Sequence, residues 1–173
     1  MLPVSNDPSP GFDDLLAANA GYAATFVDRG LAGTARRGLA VLTCIDSRID
    51  PLAMLGLAPG DAKIIRNAGA RVSDDALRSL ILATNLLGAR RLCVVAHTDC
   101  AMAGQSDAEV AAKVAASSGH DASGVDFLAS TDQLATLAAD VAKLQACPLL
   151  PFDVEVGAFC FDVHTGKLER VLL

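Results

Sequence analysis

Two stretches of this chain, Leu39-Ala40-Val41-Leu42-Thr43-Cys44 and Arg91-Leu92-Cys93-Val94-Val95-Ala96-His97, are apolar almost without a break. A strand with one face in water alternates apolar and polar residues, whereas a continuous apolar run has both faces covered. Such strands belong to a parallel sheet, and parallel strands require long crossovers between them. Each run also stops at residues that carry chemistry. Thr43-Cys44-Ile45-Asp46-Ser47-Arg48-Ile49-Asp50 follows the first, and His97-Thr98-Asp99-Cys100 closes the second. In open parallel sheets, ligands bind beyond the carboxyl ends of the strands. The two stretches are therefore expected to be two halves of one site.

The rest of the chain fits around them. Asp13-Asp14 opens a helix over residues 15–27, with Gly30 and Gly33 closing it. Asp50-Pro51 starts a short helix over 52–55, and Pro59-Gly60-Asp61 is a turn into a strand over 62–66. Ser73 caps a helix to about residue 87, stopped by Gly88. A helix is expected over 101–116, then a surface loop over 117–130, then a helix capped by Thr131 or Asp132 and ending near residue 145. A strand over 154–163 and a hairpin turn at His164-Thr165-Gly166-Lys167 lead into a terminal strand. Residues 1–10, with three prolines, are expected to be an irregular arm. This succession describes a three-layer α/β fold with a mostly parallel sheet, an antiparallel edge strand and helices on both faces. Placing the first and third strands side by side gives an order of 2-1-3 and puts Cys44 and His97 at a topological switch point. The chain is expected to be one domain overall, with 1–38 as an N-terminal arm and helix and 39–173 as the catalytic part.

Composition narrows the function. The 173 residues are 52% apolar and 20% charged, with a net charge of −6. Mean hydropathy is +0.40 and the pI is near 4.9. The apolar surplus points to an obligate oligomer. The acidic balance, without a Lys/Arg cluster, argues against nucleic acid or an anionic membrane as partner. Residues 1–10 have no cationic and apolar leader pattern, and charges punctuate every apolar run, so a cytoplasmic protein is expected. Five cysteines (44, 93, 100, 147, 160) form no disulfide framework and suit metal binding or free thiols.

The spacing of the two motifs points to zinc. Neighbouring strand ends lie about 4.8 Å apart, which suits Cys44 and His97 as ligands of one tetrahedral ion. His97-x-x-Cys100 turns back from strand into helix, bringing a thiolate favoured by a helix N-terminus. Cys93 shares a strand face with His97 but lies ~13 Å back along it, too far to join them. Cys147 and Cys160 read as buried free thiols, and His120 and His164 as surface histidines. A Cys₂His set leaves a position open, as catalytic zinc sites do. Cys44, Asp46 and Arg48 share one face for as long as the backbone stays extended. Asp46, held ionised by Arg48, would accept the hydrogen bond of a zinc-bound hydroxide. Either motif alone is weak, and Asp46–Arg48 could be an ordinary ion pair. Both at the ends of apolar strands, across one crossover, is a much rarer coincidence.

At these residues the sequence resembles the β-class carbonic anhydrases, in their compact bacterial branch. The resemblance rests on Cys44-x-Asp46-x-Arg48 and His97-x-x-Cys100. It extends over Gly60-Asp61-Ala62, Arg66-Asn67-Ala68-Gly69, Ser73-Asp74-Asp75-Ala76-Leu77-Arg78-Ser79-Leu80 and the terminal Phe161-Asp162-Val163-His164-Thr165-Gly166-Lys167-Leu168. It implies a zinc ion on Cys44, His97 and Cys100, an Asp46–Arg48 dyad, and hydration of carbon dioxide to bicarbonate and a proton. It further implies that Asp46 can become a fourth ligand in a closed state, and a sheet of order 2-1-3-4 with an antiparallel strand. Family members are dimers or dimers of dimers with N-terminal helices packed over the partner subunit. Ile45, Ala68 and Gly69 are expected beside the substrate. Ala101 stands where the family usually has Gly, and the substrate glutamine of plant-type members is absent before the first motif. Related proteins with these motifs hydrolyse carbonyl sulfide or carbon disulfide, an alternative that stays open, as does a non-catalytic zinc or redox module.

Overall fold

The computed structural model describes residues 11–173; the expected proline-rich arm at 1–10 lies outside the described residues. The described residues fall into two units, one ending at Ala32 and the other spanning Gly33–Leu173. In the first, helix α1 spans Asp13–Thr25, with Asp13 and Asp14 in its opening turn and none of its residues buried. It ends before Gly30 and Gly33, at an extended Phe26 whose N–H donates to the Ala23 carbonyl. Thr25, Phe26 and Val27 are β-branched or aromatic and propagate a helix poorly, so it stops there without glycine.

The second unit is built on a five-stranded sheet of β1 (Leu39–Cys44), β2 (Ala62–Asn67), β3 (Arg91–His97), β4 (Glu155–Phe161) and β5 (Leu168–Val171). Their order is β2-β1-β3-β4-β5, with only β5 antiparallel to its neighbour. All six residues of β1 are buried. Ala40 and Leu42 pack with Leu80, Leu137 and Leu144 of the helices α2 (Asp74–Asn85) and α4 (Gln133–Gln145). Leu39 and Val41 pack on the opposite side with Ile49, Val95 and Phe161, covered by Met54, Leu55 and Leu57 around a 3₁₀ turn at Ala53–Leu55. Occupied layers on both sides explain why the strand shows no alternation. Each fully buried leucine contributes about 1.5–3 kcal/mol. Ser73 caps α2 by accepting the Ala76 N–H, and Asp132 caps α4 by accepting those of Leu134 and Ala135.

One expected helix is displaced. Helix α3 spans Asp107–Ser118 instead of beginning at Ala101. Gly104, at φ +75, interrupts any helix there. Its N–H donates to the Ser130 carbonyl, and the Ser130 N–H donates to the Met102 carbonyl. Residues 101–105 are thus tied to a segment distant in sequence, and the start signal belongs to Ser106, which forms a capping box with Glu109. The surface loop before α4 is held from α3: the Asp107 carboxylate accepts the N–H groups of Phe127, Leu128 and Ala129.

Candidate metal centre

The sheet register brings the two motifs together. Thr43 is level with Val95, so β3 continues past the last β1 pair to His97. Cys44 ends β1 on the other side, level with Asn67 of β2. A tight turn through Thr98 and Asp99 then returns Cys100 to the same place. Cys44, His97 and Cys100 are 4%, 1% and 8% exposed, and their ligand atoms all lie within 4.8 Å of one another. Cys100 does not begin a helix, because α3 starts seven residues later; no helix dipole assists its thiolate. Ala101 has no left-handed backbone, so the methyl that replaces the family's glycine adds no strain there.

The donor set fits a thiophilic dication. His97 Nδ1 is 2.8 Å from the Thr98 carbonyl, which as an acceptor places the proton on Nδ1. Nε2 is left as a lone pair, buried and without a hydrogen-bond partner. An orphaned buried polar atom is costly unless something binds it, and two cysteine sulfurs flank this one. The Cys44 thiol is pulled down to about 3, first by the neighbouring Cys100 thiol, against the effect of burial, then by the His97 imidazole and the backbone N–H groups of Asp46 and Gly69. Cys100 is pushed strongly upward by the adjacent Cys44 sulfur and by burial. Two sulfurs crowded together beside an imidazole are thus an arrangement that a shared dication would relieve. Three protein ligands of this kind are a zinc set.

Asp46 lies outside this trio, although near it. The chain leaves β1 in a turn rather than as extended strand, so Asp46 and Arg48 do not meet by strand alternation. They meet because the Arg48 backbone N–H and Nε both donate to Asp46 Oδ1, at 2.9 and 3.0 Å, while Nη2 donates to Oδ2 at 2.7 Å. Those bonds hold the Asp46 carboxyl well below the usual carboxylate range. With its oxygens engaged by Arg48, Asp46 is ionised and turned to the arginine.

Several contacts that position the site leave no mark in the motifs themselves. Arg66 donates from Nε to the Cys44 carbonyl at 2.9 Å and from Nη2 to the Asp46 carbonyl at 2.7 Å, clamping the exit of β1. Gln133 on α4 donates to the His97 carbonyl at 3.1 Å. Arg48 reaches a second carboxylate, Asp99, at 2.8 Å. Arg66 and Asp99 stand within the motif stretches Arg66-Asn67-Ala68-Gly69 and His97-Thr98-Asp99-Cys100, but nothing local marks their partners. Gln133 carries no sequence signal at all.

The proposed substrate neighbours divide. Gly69 adopts φ +76 and aims its N–H at Cys44 Sγ, 3.4 Å away. A Cβ there would come within 3.3 Å of Met102 Cβ, so the close approach needs glycine. Ala68 belongs to the same 3₁₀ turn, and Ile45 follows Cys44 with its side chain 61% exposed. Cys93, Cys147 and Cys160 are half-buried free thiols, and His120 and His164 are exposed.

Comparison with known proteins agrees with this geometry. A family profile described as carbonic anhydrase matches residues 39–144. Beta-carbonic anhydrase 1 of Mycobacterium tuberculosis is 34% identical over 163 residues, covering 92% of this chain and 96% of that protein. A carbon disulfide hydrolase of an Acidianus species is 35% identical over 160 residues, covering 78% of this chain and 77% of that one. The crystal structure of a carbonic anhydrase from Streptococcus mutans superposes with a TM-score of 0.86 at 35% identity, over 99% of this chain and 100% of that one. With a Cys-His-Cys trio suited to zinc on a matching fold, the chain belongs to the β-carbonic anhydrase family.

Proposed function

We propose that the protein catalyses the reversible hydration of carbon dioxide to bicarbonate and a proton. The observation that carries this reading is the buried, unpartnered His97 Nε2 between two cysteine sulfurs, with an Arg48-held Asp46 beside them. Zinc on Cys44, His97 and Cys100 would lower the pKa of water toward neutrality and so supply the nucleophile. Asp46, kept ionised by Arg48, would accept a hydrogen bond at that position and so orient the attacking oxygen toward the substrate carbon. Carbon dioxide, linear and apolar, rests against Ile45, Ala68 and the Gly69 backbone. Stopped-flow indicator assays of the zinc-loaded protein are expected to show rapid carbon dioxide hydration; no rate above buffer would refute the reading.

A second substrate has a specific observation behind it: the Acidianus relative, at 35% identity, is a carbon disulfide hydrolase. Carbon disulfide and carbonyl sulfide present the same linear electrophilic carbon. Parallel turnover of all three gases ranks them, and faster hydrogen sulfide release than bicarbonate formation would replace the first assignment.

The protein works as a homodimer or a dimer of dimers, with residues 1–38 forming the arm and helix laid over the partner subunit. Supporting this are the exposed Phe12, Leu15, Leu16, Tyr22 and Phe26 in and around α1. A cytoplasmic location is supported by five unpaired cysteines. No described helix is long and apolar enough to cross a membrane.

A further inference from the structure

Arg48 has more partners than its pairing with Asp46 requires. Its Nη1 donates to Asp99 Oδ2 at 2.8 Å, and its Nη2, already on Asp46, also donates to the Asp99 backbone carbonyl at 3.1 Å. A guanidinium has five N–H donors in a rigid plane. Here Nε–H, both Nη2 protons and one Nη1 proton have acceptors, shared between two aspartates.

Asp99 is also in an unusual conformation. It has φ +56, the left-handed region that few residues other than Gly, Asn and Asp adopt. This turn directs both the carbonyl and the carboxylate of Asp99 at one guanidinium. It is anchored from the far side as well: the Thr98 N–H donates to the Phe161 carbonyl at 3.0 Å, and Thr98 Oγ1 accepts the Val163 N–H at 3.1 Å. A strained backbone at a non-glycine residue persists where its surroundings over-determine it. The pair thus engages main chain as well as side chain, at a residue held in the left-handed region.

We propose that Asp99 is a positioning residue for the reaction. Its carboxylate and carbonyl clamp Arg48 in the plane that holds Asp46, which couples the Asp46–Arg48 pair to the strand end bearing His97 and Cys100. Asp99 touches no substrate in this scheme and acts through Arg48. The inference rests on the roles given above to Asp46 and Arg48, and the test separates the two.

Asp99→Gly suits the left-handed backbone and keeps the carbonyl while removing the carboxylate. Asp99→Asn keeps an acceptor oxygen and tolerates the same φ. In zinc-loaded protein, Asp99→Gly is expected to retain or raise the Tm. Its kcat/KM for carbon dioxide should fall roughly tenfold, the scale of one lost charge-assisted hydrogen bond at a partly exposed site. Exchange of the Arg48 Nε–H with water, followed by ¹⁵N NMR, should accelerate in Asp99→Gly, and Asp99→Asn should recover most of both effects. Wild-type kcat/KM and unchanged Arg48 exchange in Asp99→Gly, alongside an inactive Arg48→Ala, would overturn the clamp while leaving the dyad intact. Lost activity with a lower Tm and unchanged exchange would overturn it as a folding effect. Near-full turnover of Arg48→Ala would defeat the dyad and the clamp together.

Discussion

Removing the Asp140 carboxylate should destabilise the protein far more than a surface substitution does. Asp140 lies on α4 and is 6% exposed. It accepts Arg71 Nε at 2.7 Å, Arg71 Nη2 at 3.4 Å and the Val72 backbone N–H at 3.2 Å. In Asp140→Ala the Arg71 guanidinium, with a side chain only 17% exposed, loses its counter-charge. Val72, 2% exposed, loses the acceptor for its N–H. Breaking a buried pair by removing one partner costs about 3–5 kcal/mol. Arg71 Nη1 keeps its bond to the Leu128 carbonyl, so the lower end applies, about 3 kcal/mol. For a chain of this size that is a Tm lowered by about 6–12 °C. Thermal unfolding should be followed at fixed protein concentration and saturating zinc, because metal binding and self-association shift apparent stability. Replacing both members, Arg71→Met with Asp140→Leu, should recover much of the loss, since burying the pair is itself expensive. The same substitution should weaken zinc retention against a competing chelator. Arg71 exchanges backbone hydrogen bonds with the Asn67 side chain, and between them lies Gly69, whose N–H faces Cys44 Sγ. A Tm shift below about 2 °C, equivalent to less than about 1 kcal/mol, would refute this account of the ion pair.

Arg48→Ala should abolish most turnover, on the order of a hundredfold or more, the scale of a misdirected proton-handling group; metal analysis should find zinc still bound. Cys44→Ser should lose zinc instead, seen as a fall in metal stoichiometry after dialysis against chelator, because a hydroxyl is far harder to ionise than a thiol and a poorer ligand for zinc. Acid should loosen the loop before α4. The Asp107 carboxyl is held below its ordinary value chiefly by the Ala129 N–H, so the folded form binds fewer protons there than the unfolded form. Its stabilisation is complete above the ordinary carboxylate pKa, about pH 4, and is lost as pH falls below it. Protection of the Phe127, Leu128 and Ala129 amides, measured against their intrinsic exchange rates at each pH, should fall below about pH 4, and Asp107→Asn should lower it already at neutral pH.

Much of this protein could be read locally. The apolar runs at Leu39–Cys44 and Arg91–His97 end as strands at those same residues, because burial on both faces leaves its mark on every position. Ser73 and Asp132 cap their helices with their own side chains, a signal that lies within four residues. The zinc trio was equally legible, since two motifs at adjacent strand ends need only the sheet order to meet. Tertiary structure decided what local signals cannot encode. Ser130 pairs with Met102 and Gly104 and so displaces the expected start of α3 to Ser106. Arg66 grips the exit of β1, and Gln133 supports His97 from α4. Arg48 is shared between Asp46, two residues away, and Asp99, fifty-one residues away. Sequence spacing places ligand atoms when a regular strand carries them; once the chain turns, a side chain's partners depend on which distant segment folds against it.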